Sequence, residues 1–308
     1  MSLISVIVPC FNEEESIKMF YDEFAVKTAR LRRECKFEII FVDDGSKDNT
    51  LREIKNLVKN VSEDMVKYIS FSRNFGKEAA IYAGLKESTG DFVTLMDVDL
   101  QDPPEMLVEM YDRLLNKKID CVATRRATRK GEPVLRSMFS RMFYRLINKV
   151  SETEIVDGAR DFRLMTRKMT DAVLSLSEKN RFSKGLFSWV GFKTEWISYE
   201  NIERKAGKTK WNFWKLFRYA IEGILGYSDA LLMLPAAFAG IFGFSGLILL
   251  IFAIVYVNSF IGILAALLFM LSVLCVFFLN MGLYIAKINR EVKERPIYIE
   301  KEKGGNKS

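Results

Sequence analysis

From Ala230 to Ala286 the chain carries no Asp, Glu, Lys or Arg. A run this long belongs in a protein core or in lipid, and it can supply two membrane-spanning helices at roughly 20 residues each. Val257, Asn258 and Ser259 break it near the middle. The expectation is a transmembrane hairpin over 229–286 with almost no loop on its far side. A buried core hairpin is the bland alternative, disfavoured because not one charge interrupts the run. Both flanks are basic, with Lys205, Lys208, Lys210, Lys215 and Arg218 before it and Lys287, Arg290, Lys293 and Arg295 after it. The positive-inside tendency then puts both ends in the cytoplasm, as expected of a multi-pass protein of the cell membrane. The same charges attract anionic headgroups of the bilayer. Trp211, Phe213, Trp214, Phe217 and Tyr219 suit an interfacial helix within a juxtamembrane segment 206–228, because amphipathic rings settle at headgroup level. The first ten residues lack a basic start and a cleavage site, so no signal peptide is expected. The basic tail 287–308 is expected to be cytoplasmic and, beyond Arg295, disordered.

The first half has a different rhythm. Leu3 to Pro9, Phe37 to Asp43, Val66 to Ser70, Phe92 to Met96 and Cys121 to Thr124 read as apolar strands. Helical stretches are predicted between them, near Glu14 to Arg32, Asp48 to Asn60, Gly76 to Lys86 and Pro104 to Asn116. Apolar strands joined by helical crossovers imply an α/β fold with a mostly parallel sheet and helices on both faces. We place this domain over 1–205. Within it, Arg136 to Val150 interleaves basic and apolar residues at helical spacing, which fits packing on the domain as well as lying on a membrane surface. Thr194 to Glu200 is strand-like.

Some chemistry is excluded by composition. The chain has no histidine, which removes Ser-His and Cys-His mechanisms and most zinc chemistry. Cys10, Cys35, Cys121 and Cys275 show no C-x-x-C spacing and read as reduced, structural thiols. The net charge of +7 clusters beside the apolar run and no nucleic-acid motif accompanies it, so nucleic acid is not an expected partner.

The most informative motif is Phe92 to Glu105, FVTLMDVDLQDPPE. A strand ends on Asp97, Val98 and Asp99, and Pro103 with Pro104 opens a helix. Two carboxylates therefore stand at the carboxyl end of a strand, where open α/β sheets place their ligands. Their i, i+2 spacing lets both approach one hard cation while leaving room for a diphosphate. A bare D-x-D is weak, since most such pairs are solvated turns. A second strand ending on Val42, Asp43, Asp44, Gly45 and Ser46 strengthens the functional reading.

Pro9, Phe11, Asn12 and Glu13 after strand one, Asp43 to Ser46 after strand two, Arg73 to Lys77, and the run Asp97 to Asp102 together resemble glycosyltransferase family 2 and its GT-A fold. The closer resemblance is to the polyprenyl-phosphate branch, the dolichyl-phosphate mannose synthases and bactoprenol glucosyltransferases, and it covers nearly the whole chain. It implies that Pro9, Phe11, Glu13, Val42, Asp44 and Gln101 bind a nucleotide-sugar donor. It also implies that Asp97, Asp99 and Gln101 hold Mg²⁺ or Mn²⁺ against the departing diphosphate. A carboxylate at Asp44 can accept from a ribose hydroxyl or a base N–H, while Glu13 could equally cap the helix that follows it. Gly158 to Leu164 resembles the family's segment beside the sugar, with Asp161 as its acidic residue. A lipid phosphate is largely anionic at neutral pH, with a second pKa of about 6. Asp161 is therefore expected to orient sugar or acceptor more than to abstract a proton. A surface pair with Arg160 or Arg163 is the plain alternative.

A phosphate acceptor needs cations that stay protonated. Arg125, Arg136, Arg204 and Lys210 are the candidates, the last two in a loop resembling the family's R-x-x-G-x-S-K with Thr209 for Ser. The resemblance thus implies an inverting, metal-dependent hexosyltransferase that moves glucose from UDP-glucose to polyprenyl (undecaprenyl) phosphate for cell-envelope glycosylation. N-acetylglucosamine, galactose and mannose remain open as the sugar. A separate flippase is expected downstream, and a homo-oligomer is open. A processive polysaccharide synthase is disfavoured because Q-x-x-R-W is absent, and a non-catalytic nucleotide-sugar scaffold because the acidic positions are all present.

Overall fold

A computed structural model describes residues 1–126, 156, 158–176, 178, 179, 181–200, 244 and 259–306. The expected amphipathic helix at 136–150, the aromatic segment at 211–225, the acceptor loop and the first apolar span lie outside these residues.

Strands β1 (Ser2–Cys10), β2 (Cys35–Asp43), β3 (Met65–Phe71), β4 (Phe92–Leu95), β5 (Cys121–Arg126), β6 (Ala159–Thr166), β7 (Thr194–Tyr199) and β8 (Glu300–Gly305) form one sheet in the order β7-β5-β6-β4-β1-β2-β3-β8. The pairs β1/β2, β1/β4, β2/β3 and β5/β7 are parallel. Those of β6 with β4 and β5, and of β8 with β3, are antiparallel. Helices α1 (Ser16–Lys27), α2 (Thr50–Asn60), α3 (Lys77–Glu87) and α4 (Met106–Lys117) make the crossovers, and α5 (Arg167–Ser175) and α6 (Ser183–Trp189) follow β6. α1 ends five residues before the predicted Arg32, where a short 3₁₀ turn, Leu31–Arg33, takes over.

Alternation along each strand sends its side chains to two cores. Ile4, Val6 and Val8 meet Phe20, Phe24, Ile54, Leu107 and Met110 on the face covered by α1, α2 and α4. Ile7, Ile40 and Val42 meet Ala80, Ile81, Met169 and Phe187 on the other, covered by α3, α5 and α6. Burial on both faces is why these strands read as unbroken apolar runs. The chain proceeds from β1 through β2 to β3 and then returns to place β4 on the other side of β1. This reversal opens a crevice at the carboxyl ends of β1 and β4, the switch point at which doubly wound sheets bind ligands.

The expectation of a disordered tail is corrected by β8. Residues 300–305 extend the sheet at β3, with Ser72 N–H donating to the Ile299 carbonyl at 3.0 Å. Tyr298 stacks on Phe71 at 4.7 Å, and the Asn306 side chain bonds the carbonyls of Val61 and Asp64 at 2.7 and 2.9 Å. The tail's charge hid this, because an edge strand keeps one side in water and needs no apolar run. Helix α7 (Ser259–Val292) precedes it and contains Phe269–Ala286, which among the described residues is the stretch long and apolar enough to cross a membrane. None of that stretch is buried within the molecule.

Candidate active site

The loops after β1 and β2 are sewn together. Asp44 N–H donates to the Cys10 carbonyl at 2.9 Å, Asn12 N–H to the Ser46 hydroxyl at 2.9 Å, and Lys47 N–H to the Asn12 side-chain oxygen at 2.8 Å. Asn12 takes the left-handed conformation at φ 52 that this exchange requires. Glu13 sits at the start of α1, where its carboxylate accepts from the Ser16 hydroxyl at 3.2 Å and its N–H reaches the Thr50 hydroxyl at 2.8 Å. That contact is to a side chain of the first turn and not to a backbone N–H; the N-cap position of α1 is Glu15, which makes no side-chain capping bond. Pro9 and Phe11 are partly open at the mouth of β1. The Val42 side chain is fully buried in the α3-side core, so only its backbone can face a ligand.

Asp44 looks inward. Its carboxylate accepts from the Asn74 amide at 2.8 Å, from Phe75 N–H at 2.6 Å and from Gly76 N–H at 2.9 Å, and so fixes the loop 73–76. Burial pushes its pKa up to about 6, although the Phe75 and Gly76 N–H groups pull the other way. Gly45, at φ 66, lies so close under this loop that a Cβ would stand 2.3 Å from the Arg73 carbonyl carbon. The Asp44 carboxylate is thus engaged in holding the loop 74–76.

That loop delivers α3, and the first residue of α3 is Lys77. Its ammonium lies 2.7 Å from Asp97 Oδ1 and 2.7 Å from Asp161 Oδ2. Burial disfavours an ionised Asp161, but Lys77, Lys184 and Arg163 override it and hold the carboxyl well below the usual carboxylate range. Arg163 itself is buried over the Phe187 ring at 3.8 Å and donates to the carbonyls of Asp161 and Arg160 at 3.2 and 3.0 Å. It therefore shapes the strand that carries Asp161.

The turn after β4 is braced from below. Gln101 N–H donates to Asp99 Oδ1 at 3.1 Å, and Asp97 N–H to Asp102 Oδ2 at 3.2 Å. Leu100 sits at φ 58, a left-handed conformation that costs a branched side chain about 1–2 kcal/mol and marks a turn imposed by its surroundings. Asp102 is almost fully buried and accepts from the Tyr199 hydroxyl at 2.9 Å, while Arg160 donates to that hydroxyl at 3.0 Å. Burial, and then the charge of Asp97, pushes Asp102 up to about 6 against the pull of Arg160.

The structure therefore joins Asp97 and Asp161 through Lys77, with Asp99 and Gln101 in the turn that follows Asp97. Sequence reasoning missed Lys77, Asp102 and Tyr199, and weighed Arg160 only as a surface partner of Asp161. Lys77 and Asp102 stood inside recognised motifs without a role, whereas nothing in the local pattern links Tyr199 or Arg160 to Asp102. Arg125 lies on β5, paired with Ala159 two residues from Asp161, and its guanidinium bonds the Ser198 hydroxyl at 2.9 Å. Arg136, Arg204 and Lys210 lie outside the described residues. Among the described residues, no three His, Cys, Asp or Glu side chains converge on a cation position. The two carboxylates and the Gln101 amide are hard oxygen donors that fit Mg²⁺ or Mn²⁺ with the remaining positions left to a diphosphate.

A sheet reversed at β1/β4 with carboxylates at its carboxyl edge is the arrangement of GT-A glycosyltransferases. A mannosyltransferase from Pyrobaculum calidifontis, solved with GDP-Man and Mn²⁺, is similar in fold, with a TM-score of 0.50 at 17% identity, covering 72% of this chain and 63% of that one. The chain belongs to glycosyl transferase family 2, whose model matches residues 5–174. It is 40% identical to the bactoprenol glucosyl transferase of Shigella phage SfX, over 97% of this chain and 98% of that protein. It is 39% identical to a prophage bactoprenol glucosyl transferase homolog of Escherichia coli, again over 97% and 98%.

Proposed function

We propose that this chain transfers a glucosyl group from UDP-glucose to a polyprenyl phosphate at the cytoplasmic face of the cell membrane. The observation that carries the reading is that the Lys77 ammonium joins Asp97 and Asp161 at the switch-point crevice, with Asp99 in the same turn as Asp97, in a chain similar along nearly its whole length to bactoprenol glucosyl transferases. Pro9, Phe11, Glu13, the Val42 backbone and the loop held by Asp44 form the nucleotide end. Asp97, Asp99 and Gln101 hold Mg²⁺ or Mn²⁺, which when bound offsets the charge that develops on the nucleoside diphosphate. An oxygen of the lipid phosphate attacks the anomeric carbon as the bond to the diphosphate breaks, inverting the centre. The phosphate arrives without a proton to lose, so Asp161 orients the sugar. Arg125, Arg136, Arg204 and Lys210 bind the acceptor phosphate.

The catalytic unit comprises 1–205 together with β8, with a juxtamembrane segment at 206–228 and two spans within 229–286. The pairing of β8 with β3 supports this topology by parity. A chain that leaves the catalytic sheet after β7 and rejoins it at β8 crosses the membrane an even number of times, and α7 accounts for one crossing. Reporters fused after Thr209 and after Ser308 are expected on the cytoplasmic side, and one inserted at Asn258 on the other. Ends on opposite sides would refute the hairpin.

Purified protein in detergent, given undecaprenyl phosphate and a panel of nucleotide sugars, is expected to form a lipid-linked hexose from UDP-glucose, identified by mass. A product from another donor alone would replace glucose, and no lipid product from any donor would overturn the acceptor.

A further inference from the structure

Lys77 is placed as a component of the site. Its position is set by backbone: Asp44 fixes residues 74–76, Gly76 at φ 100 turns the chain into α3, and Lys77 is the helix's first residue. Its ammonium bridges carboxylates from two different strands at 2.7 Å each. The three side chains are 35%, 28% and 21% exposed, so the bridge faces the crevice. Without it, Asp97 and Asp161 would repel one another across the place where donor and acceptor meet.

A divalent cation on Asp97 would enter within a few ångströms of this ammonium. Bare cation and Lys77 therefore compete for one carboxylate. A nucleoside diphosphate changes the balance, because its oxygens bring negative charge for both cations at once and accept the N–H bond that Asp97 gives up. We propose that Lys77 is the resident counter-ion of the donor site, holding Asp97 and Asp161 together until cation and nucleoside diphosphate arrive jointly, then turning to the diphosphate. This rests on the assignment of Asp97 and Asp99 as cation ligands. Its consequence is that the cation binds poorly alone and well with nucleotide, so the donor site assembles in one step.

Mn²⁺ binding, read from the electron paramagnetic resonance signal of the free ion with and without UDP, tests this without any transfer reaction. In the wild type, UDP is expected to tighten Mn²⁺ binding about tenfold or more, an ordinary coupling between two sites. Lys77→Met should tighten Mn²⁺ alone by about fivefold and reduce the UDP enhancement to about threefold or less. Lys77→Arg should keep the wild-type pattern. Asp161→Asn, which leaves the ammonium wholly to Asp97, should weaken binding of Mn²⁺ alone. Unchanged or weaker Mn²⁺ binding by Lys77→Met, or tighter binding by Asp161→Asn, overturns the counter-ion role while leaving the cation site standing. No binding by the wild type in either condition overturns the cation site, and this role with it.

Discussion

Replacing Asp99 by Asn is expected to lower kcat about a hundredfold or more, with the affinity for UDP falling much less, as when one preorganised stabiliser of developing charge is removed. The substitution keeps the shape of the side chain. Asp99 is nearly buried, and the oxygen that receives the Gln101 N–H at 3.1 Å survives in an amide. The turn should persist while its charge is lost. Thermal unfolding of the variant should match the wild type, which separates this result from collapse of the strained Leu100 turn. Excess chelator should abolish transfer by the wild type, and Mg²⁺ or Mn²⁺ should restore it. Full activity in chelator would remove the cation from the mechanism.

Glu38 should show the largest effect on stability. It is fully buried on β2 and accepts from the Ser5 hydroxyl on β1, from the Lys67 ammonium on β3 at 2.6 Å, and from the Thr89 N–H and hydroxyl at 2.8 Å each. One carboxylate thus ties together β1, β2, β3 and the turn that enters β4, at the sheet edge opposite the crevice. Glu38→Gln removes a fully buried charge from beside the partly exposed Lys67 ammonium and turns one accepting oxygen into a donor, which is expected to cost about 3 kcal/mol and lower Tm, with kcat of the folded enzyme unchanged. Burial raises the pKa of this group, but Lys67, Ser5 and Thr89 together hold it below the usual carboxylate range. A depressed carboxylate contributes stability that is complete above its unfolded pKa of about 4.3 and is lost as pH falls through its lower folded value. The Tm of the wild type should therefore drop more steeply below about pH 4 than that of Glu38→Gln. Parallel Tm curves for the two proteins would show that Glu38 carries no such linkage.

Much of this was legible along the chain because it is local. Two-sided burial wrote β1 to β4 as apolar runs, and helical spacing between them dictated a parallel sheet with two covered faces. A parallel sheet puts every strand's carboxyl end on one edge, so the turns that carry Asp44, Asp97 and Asp99 could be expected on that edge before any contact was seen. β6 and β8 escaped notice for related reasons. β6 begins with Ala159, Arg160, Asp161, Phe162 and Arg163, whose charges mask its period, and β8 is an edge strand of Glu and Lys.

The sequence alone determined the α/β class, the carboxylate turn after β4 and an apolar run suited to lipid, since each depends on residues within about one element of one another. Only the tertiary structure decided that Lys77 stands between Asp97 and Asp161, that Tyr199 reaches back to Asp102, and that the charged tail closes the sheet beside β3. Those pairings join residues far apart in the chain, and a single charged side chain reads the same whether its partner is water or a carboxylate across a crevice. What selects between them is the strand order that folds β6 beside β4 and returns the end of α7 to β3.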